Sequence, residues 1–207
     1  MQYFSYLQDA ASGNFGLSLR TREPVLDILS TRLPATIELV LLSAFIGILI
    51  GFPLGCFSAF RPASALGRIG SNVALMGISI PTFVVAISLI YVFSVKMRWF
   101  PSSGRSGVTE IAFWSTSLLT FEGWRSIALP AITLSLFQIS TNARLLSRAI
   151  SKTLGEEFVR FAIARGHSES SINLNHVVRN SIVPTVDIIG INIGNLITFA
   201  VITETVF

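Results

Sequence analysis

The sequence predicts an all-α protein, a polytopic bundle of membrane-spanning helices. Three observations carry this. Only 13% of the 207 residues are charged and 51% are hydrophobic, against about 25% charged in an ordinary soluble domain. Mean hydropathy is +0.68. The apolar residues are also gathered into four runs, and a helix needs roughly 20 apolar residues to cross a hydrocarbon core about 30 Å thick.

The chain opens with "MQYFSYLQDAASGNFG", which lacks a basic region followed by an apolar core and so is no secretory signal. Residues 1–32 read as an external arm at the membrane periphery. The remainder, 33–207, reads as one transmembrane domain. Its first run, 33–60, holds a single ionisable side chain, Glu38, close enough to the end of the run to reach back to the interface. Gly47, Gly51 and Gly55 recur every four residues in it, a spacing that lets another helix approach closely. Cys56 is the lone cysteine, so no internal disulfide forms.

The second run, 69–95, has no charged residue. The third, 127–143, is shorter and more polar, and the fourth, 181–203, contains Asp187. Pro53, Pro81, Pro130 and Pro184 lie in or at the edges of the four and read as bends that fix packing. Asp187, Asn192 and Asn195 share a loose helical face. Two readings stay open for them, lining of a solute pathway or hydrogen bonding between helices.

Lysine and arginine orient the chain, because cytoplasmic loops are enriched in both. The short loop "RPASALGR" and the basic stretch 144–180 fall inside, and 96–126 falls outside with Trp99, Phe100, Trp114 and Trp124 as interfacial anchors. The arm then lies outside with Arg20, Arg22 and Arg32, without a preceding span to carry them across. A further helix ahead of Met1 would remove that awkwardness. At the other end "ETVF" directly follows a span, so the expectation is a piece of a longer chain.

The stretch 144–180 gathers six basic residues and three carboxylates between apolar segments. Leu154, Phe158, Phe161 and Ala162 recur at helical spacing, Gly166 breaks the pattern, and Ser168 with Glu169 supplies a cap and a first-turn carboxylate for a second helix through Leu174, Val177 and Val178 towards Asn180. Helix, glycine corner, helix is a shape suited to docking. Basic residues there also suit anionic lipid. A DNA-binding helix-turn-helix has a similar outline, but the stretch is held to the membrane at both ends and Glu156, Glu157 and Glu169 would face phosphates. No nucleic-acid partner is expected.

The run "FVRFAIARGHSESSINLNHVVRNSIVP" resembles the cytoplasmic EAA loop of ABC-importer permeases, in the variant of the dipeptide, oligopeptide and nickel transport family. The matching positions are Phe158, Val159, Arg160, Ala162, Ala164, Arg165, Gly166, His176, Arg179, Asn180 and Pro184. "GNFGLSLRTREPVLDILSTRLPATIEL", "GISIPTF" and "ITETVF" resemble further segments of that family, so the likeness covers nearly the whole chain. Phe161 stands where the family usually has threonine, and Asn175 where it has arginine. Family members also carry one membrane helix before and one after the part seen here.

The resemblance implies a multi-pass subunit of the bacterial inner membrane that translocates peptides or a related small solute. Its implied partners are cytoplasmic ATPase subunits, a second permease subunit and a periplasmic or extracellular solute-binding protein. The helix-glycine-helix loop would sit in a groove of the ATPase, Phe158, Phe161 and Ile163 supplying area and Arg160 and Arg165 orientation. ATP and magnesium would then bind the partner, with no cofactor on this chain. The residues themselves agree with a non-catalytic role. His167 and His176 have no metal-ligand spacing, and there is no phosphate-binding G-x-x-x-x-G-K-[ST] loop. The competing reading is a secondary transporter or channel that uses Asp187 as an ion or proton site, with the loop as gating linkage.

Overall fold

The computed structural model describes residues 2–111 and 114–207. Helix α1 (Gln2–Ala11) leads through a loop to α2 (Val25–Phe60). A loop of four residues follows, and Ser64 caps α3 (Ala65–Ser79) by accepting the Gly67 N–H at 3.0 Å. Next come α4 (Thr82–Lys96), a hairpin of β1 (Thr109–Ile111) and β2 (Trp114–Thr116), and α5 (Phe121–Leu154), which Thr120 caps through the Gly123 N–H. The chain closes with α6 (Glu157–Ala164) and α7 (Glu169–Val206).

Helix α5 is the centre of the bundle, packed along α2, α3, α4 and α7. It runs parallel to α2, since Ser43 meets Ala131 and Gly51 meets Asn142. It runs antiparallel to α7, where Phe137 lies 5.2 Å from Phe199 and Ser181 bonds Thr153 at 2.9 Å. The glycine repeat explains the closest approach. A Cβ on Gly51 would stand 2.9 Å from the Asn142 Cβ and from the Ile139 carbonyl, and one on Gly55 2.8 Å from the Ala143 carbonyl.

Two apolar clusters close the ends of the bundle. One joins Leu39, Val40 and Ala44 to Ile127, Ala131, Leu134, Leu196 and Ala200. The other joins Leu146 and Ile150 to Val159, Ala162, Ile172 and Val177, fastening α6 beneath the ends of α2 and α5.

Several expected boundaries move. The first run is part of a longer helix that starts at Val25, outside the 33–60 window, because Asp27, Ser30, Thr31 and Arg32 are helix-compatible but not apolar. The second, 69–95, is not one helix. Ile80 is extended (φ −107°, ψ 122°) and Pro81 stands at the cap position just before α4, since proline drives the residue before it out of the α region. The third, 127–143, continues to Leu154, so the first third of the expected loop 144–180 is helix. Its modest hydropathy reflects buried polar side chains rather than exposure. Thr133 and Ser140 hydroxyls donate to carbonyls four residues back, at 2.8 and 2.9 Å. The fourth, 181–203, belongs to a helix that already starts at Glu169. Among the described residues, α2 and α7 are by length and composition the two helices able to cross a membrane. The two short strands were not foreseen by an all-α reading.

Candidate functional site

The end of the bundle formed by α6 and the start of α7 carries the corner. Helix α6 begins after extended Glu156, with Glu157 in its first turn where the helix dipole favours a carboxylate. It ends in a Schellman turn, in which His167 N–H donates to the Ala162 carbonyl at 3.3 Å and Gly166 N–H to the Ile163 carbonyl at 2.9 Å. That geometry requires Gly166 at φ +78°, in the left-handed region glycine favours. Ser168 then accepts the Ser171 N–H and α7 starts.

The apolar residues of α6 divide between two faces. Val159 and Ala162 are buried against the bundle, while Phe158, Phe161 and Ile163 are 42%, 60% and 60% exposed. The expected single apolar face through Leu154, Phe158, Phe161 and Ala162 is therefore corrected. Leu154 ends α5, and Ala162 points away from the phenylalanines. Arg160, Ala164 and Arg165 are exposed around the outer face, with the Arg165 guanidinium 4.7 Å above the Phe161 ring.

Beyond the corner the expected second short helix does not stop at Asn180. It runs unbroken into the long helix, and Ile172–Val178 are wound as a π-helix. With hydrogen bonds five residues apart, Ile172 and Val177 both reach the buried face, which regular α winding would not allow. The His176 ring lies 5.8 Å from that of His167, tilted by 55°, and the His176 carbonyl accepts the Asn180 amide at 2.6 Å. Arg179 and Asn180 are exposed. Among the described residues no group of three potential metal ligands occurs.

The polar row of α7 is not sealed inside this chain. Asp187 and Asn195 are exposed, and Asn192 is half-buried with its amide nitrogen unpaired. The buried face of α7 is instead Ser181, Thr185, Ile189, Leu196, Ala200 and Thr203.

The opposite end of the bundle holds a cluster that sequence reasoning missed. Glu38 does not reach back to an interface. It is 5% exposed, and accepts hydrogen bonds from Arg105 (2.8 Å), the Trp114 indole (3.1 Å) and the Ser117 backbone N–H (3.2 Å). Arg105 also donates to the Ser117 hydroxyl at 2.6 Å and the Ser115 carbonyl at 2.7 Å. The loop after α4 is thereby folded over the end of α2. Trp114 and Trp124 spend their N–H groups on protein acceptors, Glu38 and the Leu118 carbonyl. The available signal was one carboxylate in an apolar run and an arginine in a serine- and glycine-rich stretch of the facing loop.

Residues 51–207 match the family described as "Binding-protein-dependent transport system inner membrane component". Over its whole length the chain is 33% identical to a probable peptide ABC transporter permease protein of Sinorhizobium fredii, covering 64% of that protein. It is 30% identical to a dipeptide transport system permease protein of Alkalihalophilus pseudofirmus, covering 66%, and 30% identical to a glutathione transport system permease protein of Escherichia coli K12, covering 62%. The chain thus spans just under two thirds of the length of these curated relatives.

Proposed function

We propose, from the premise that this chain belongs to the family of binding-protein-dependent transport system inner membrane components, that it is the membrane-spanning part of an ATP-driven importer of peptides or a closely related solute. The family membership makes it a transport component of the membrane rather than an enzyme. The named relatives, permeases for peptides, dipeptides and glutathione, support the solute class.

The observation that carries the mechanism is the exposed face of α6. Three large apolar side chains face outward beside Arg160 and Arg165, on a helix whose other face is locked to α5 and α7 through Val159 and Ala162. Such a rigid apolar knob with a basic rim suits a groove on a cytoplasmic ATPase subunit. Closure of the ATPase around ATP would push on α6. Because α7 follows directly from the Gly166 corner, the push would be delivered along α7 to the far end of the bundle, exchanging inward and outward openings. In this reading ATP and magnesium stay on the ATPase, a second permease subunit covers the open face of α7 with Asp187 and Asn195, and a binding protein delivers solute at the end that carries Glu38.

The test is a mild-detergent pull-down of the full-length subunit from native membranes, followed by reconstitution into liposomes. An ATPase should co-purify, and peptide uptake should require ATP and ignore an imposed ion gradient. Uptake driven by the gradient alone would replace this reading with secondary transport.

A further inference from the structure

Beside the Glu38 cluster lies a cavity of about 500 Å³, walled by α2, α5, the end of α7 and the loop after α4. Its size is within the roughly 300–1,000 Å³ of small-molecule sites. Arg105 reaches it but is committed to Glu38, Ser115 and Ser117. Two other charges line it, Arg32 from α2 and Glu204 from α7. Neither side chain has a hydrogen bond or ion pair among the described residues, including with the other. The rest of the lining is mixed, apolar at Leu39, Ile127 and Phe207 and polar at Thr31, Ser117 and Ser126.

We propose that this cavity binds the zwitterionic main chain of a short peptide, Arg32 taking its carboxylate and Glu204 its ammonium. The inference rests on the transport reading above and adds a solute subsite to it. Charge selects the ligand class. A cation from α2 and an anion from α7, both unpaired among the described residues and lining one cavity, are matched by a molecule that carries both signs apart, whereas a simple anion would meet Glu204 and a simple cation Arg32. A guanidinium holds a carboxylate through two parallel hydrogen bonds. The apolar part of the lining gives a side chain of the peptide a place to lie.

The experiment uses the complete membrane core in lipid nanodiscs, without binding protein, and radiolabelled alanylphenylalanine, its C-terminal amide and its N-acetyl derivative. The wild type should bind the free dipeptide more tightly than either blocked form. Arg32→Gln should weaken the free and N-acetylated peptides about tenfold and leave the amide unchanged. Glu204→Gln should weaken the free peptide and the amide, and leave the N-acetyl form unchanged. Arg32→Lys should recover part of the loss. Equal losses for all three peptides, or none, overturn the assignment. ATP-driven uptake of alanylphenylalanine by the complete wild-type importer is measured alongside. Uptake without the charge pattern sinks the cavity alone, and absence of uptake sinks the transport reading with it.

Discussion

The carboxylate of Glu38 and the guanidinium of Arg105 meet at 2.8 Å across 67 residues of sequence. The first belongs to a buried turn of α2 and the second to the loop beyond α4, so their contact decides how that loop sits on the bundle. A buried carboxylate is tolerated only when its oxygens are bonded, and here Trp114, Thr116 and Ser117 bond it as well. Arg105→Ala should therefore cost about 3 kcal/mol, because it strands the carboxylate rather than merely deleting an attraction. Adding Glu38→Gln should recover part of the loss. Thermal unfolding in detergent measures both, and a single-variant cost below about 0.5 kcal/mol, the range of ordinary surface changes, would show that the loop is held by other means.

Glycines in this chain differ by what stands opposite them. Gly51 faces Asn142 and Ile139 with no room for a Cβ, whereas Gly190 on α7 has nothing within 4 Å. Gly51→Leu should force α2 and α5 apart and cost about 1–3 kcal/mol or more. Gly190→Ala should stabilise the isolated subunit slightly, by about 0.5–1 kcal/mol from helix propensity. Paired denaturation curves in detergent check the contrast. Equal effects at the two positions would contradict the packing order described.

Gly166 tests the coupling role. At φ +78°, donating its N–H to the Ile163 carbonyl, it cannot be replaced by proline, which fixes φ near −65° and has no N–H. Gly166→Pro should leave membrane insertion intact and abolish ATP-dependent uptake in proteoliposomes. Gly166→Asn, which tolerates the left-handed region, should retain most of it. Unchanged coupling in the proline variant would remove the corner from the mechanism.

Much of this architecture was legible in the sequence, for reasons tied to particular residues. The glycine repeat announced that a helix approaches this face of α2 closely, though not that it is α5, because spacing alone sets which side of a helix is smooth. Gly166 announced its turn because few other residues adopt that backbone. What was not legible depended on distant partners. Hydropathy located apolar runs but not helix ends, since the polar turns Asp27–Arg32 and Arg144–Leu154 are helical outside the apolar windows. Glu38 looked like an interfacial residue because nothing local shows that Arg105 and Trp114 fold back onto it. The division of α6 into an inner and an outer apolar face likewise depends on where Ile172 and Val177 arrive, which the π winding of α7 decides.

The buried middle of α5 leads to the least intuitive expectation. Gln138 and Asn142 are fully buried one turn apart against the glycine face of α2, and neither amide has a hydrogen-bond partner among the described residues. A buried amide without a partner costs about 1–3 kcal/mol, while an apolar replacement of the same shape is neutral or stabilising. Methionine matches the unbranched outline of glutamine and adapts to an irregular gap. Gln138→Met should therefore raise the unfolding free energy in detergent by up to about 2 kcal/mol, even though it removes a polar group from the centre of the bundle. If the amide is there to be solvated when α2 and α5 separate during transport, the same variant should be more stable and slower, with ATP-dependent uptake reduced at unchanged subunit assembly. Destabilisation by more than about 1 kcal/mol would show instead that the amide is already bonded in the native protein, and that the α2–α5 seam is a static contact.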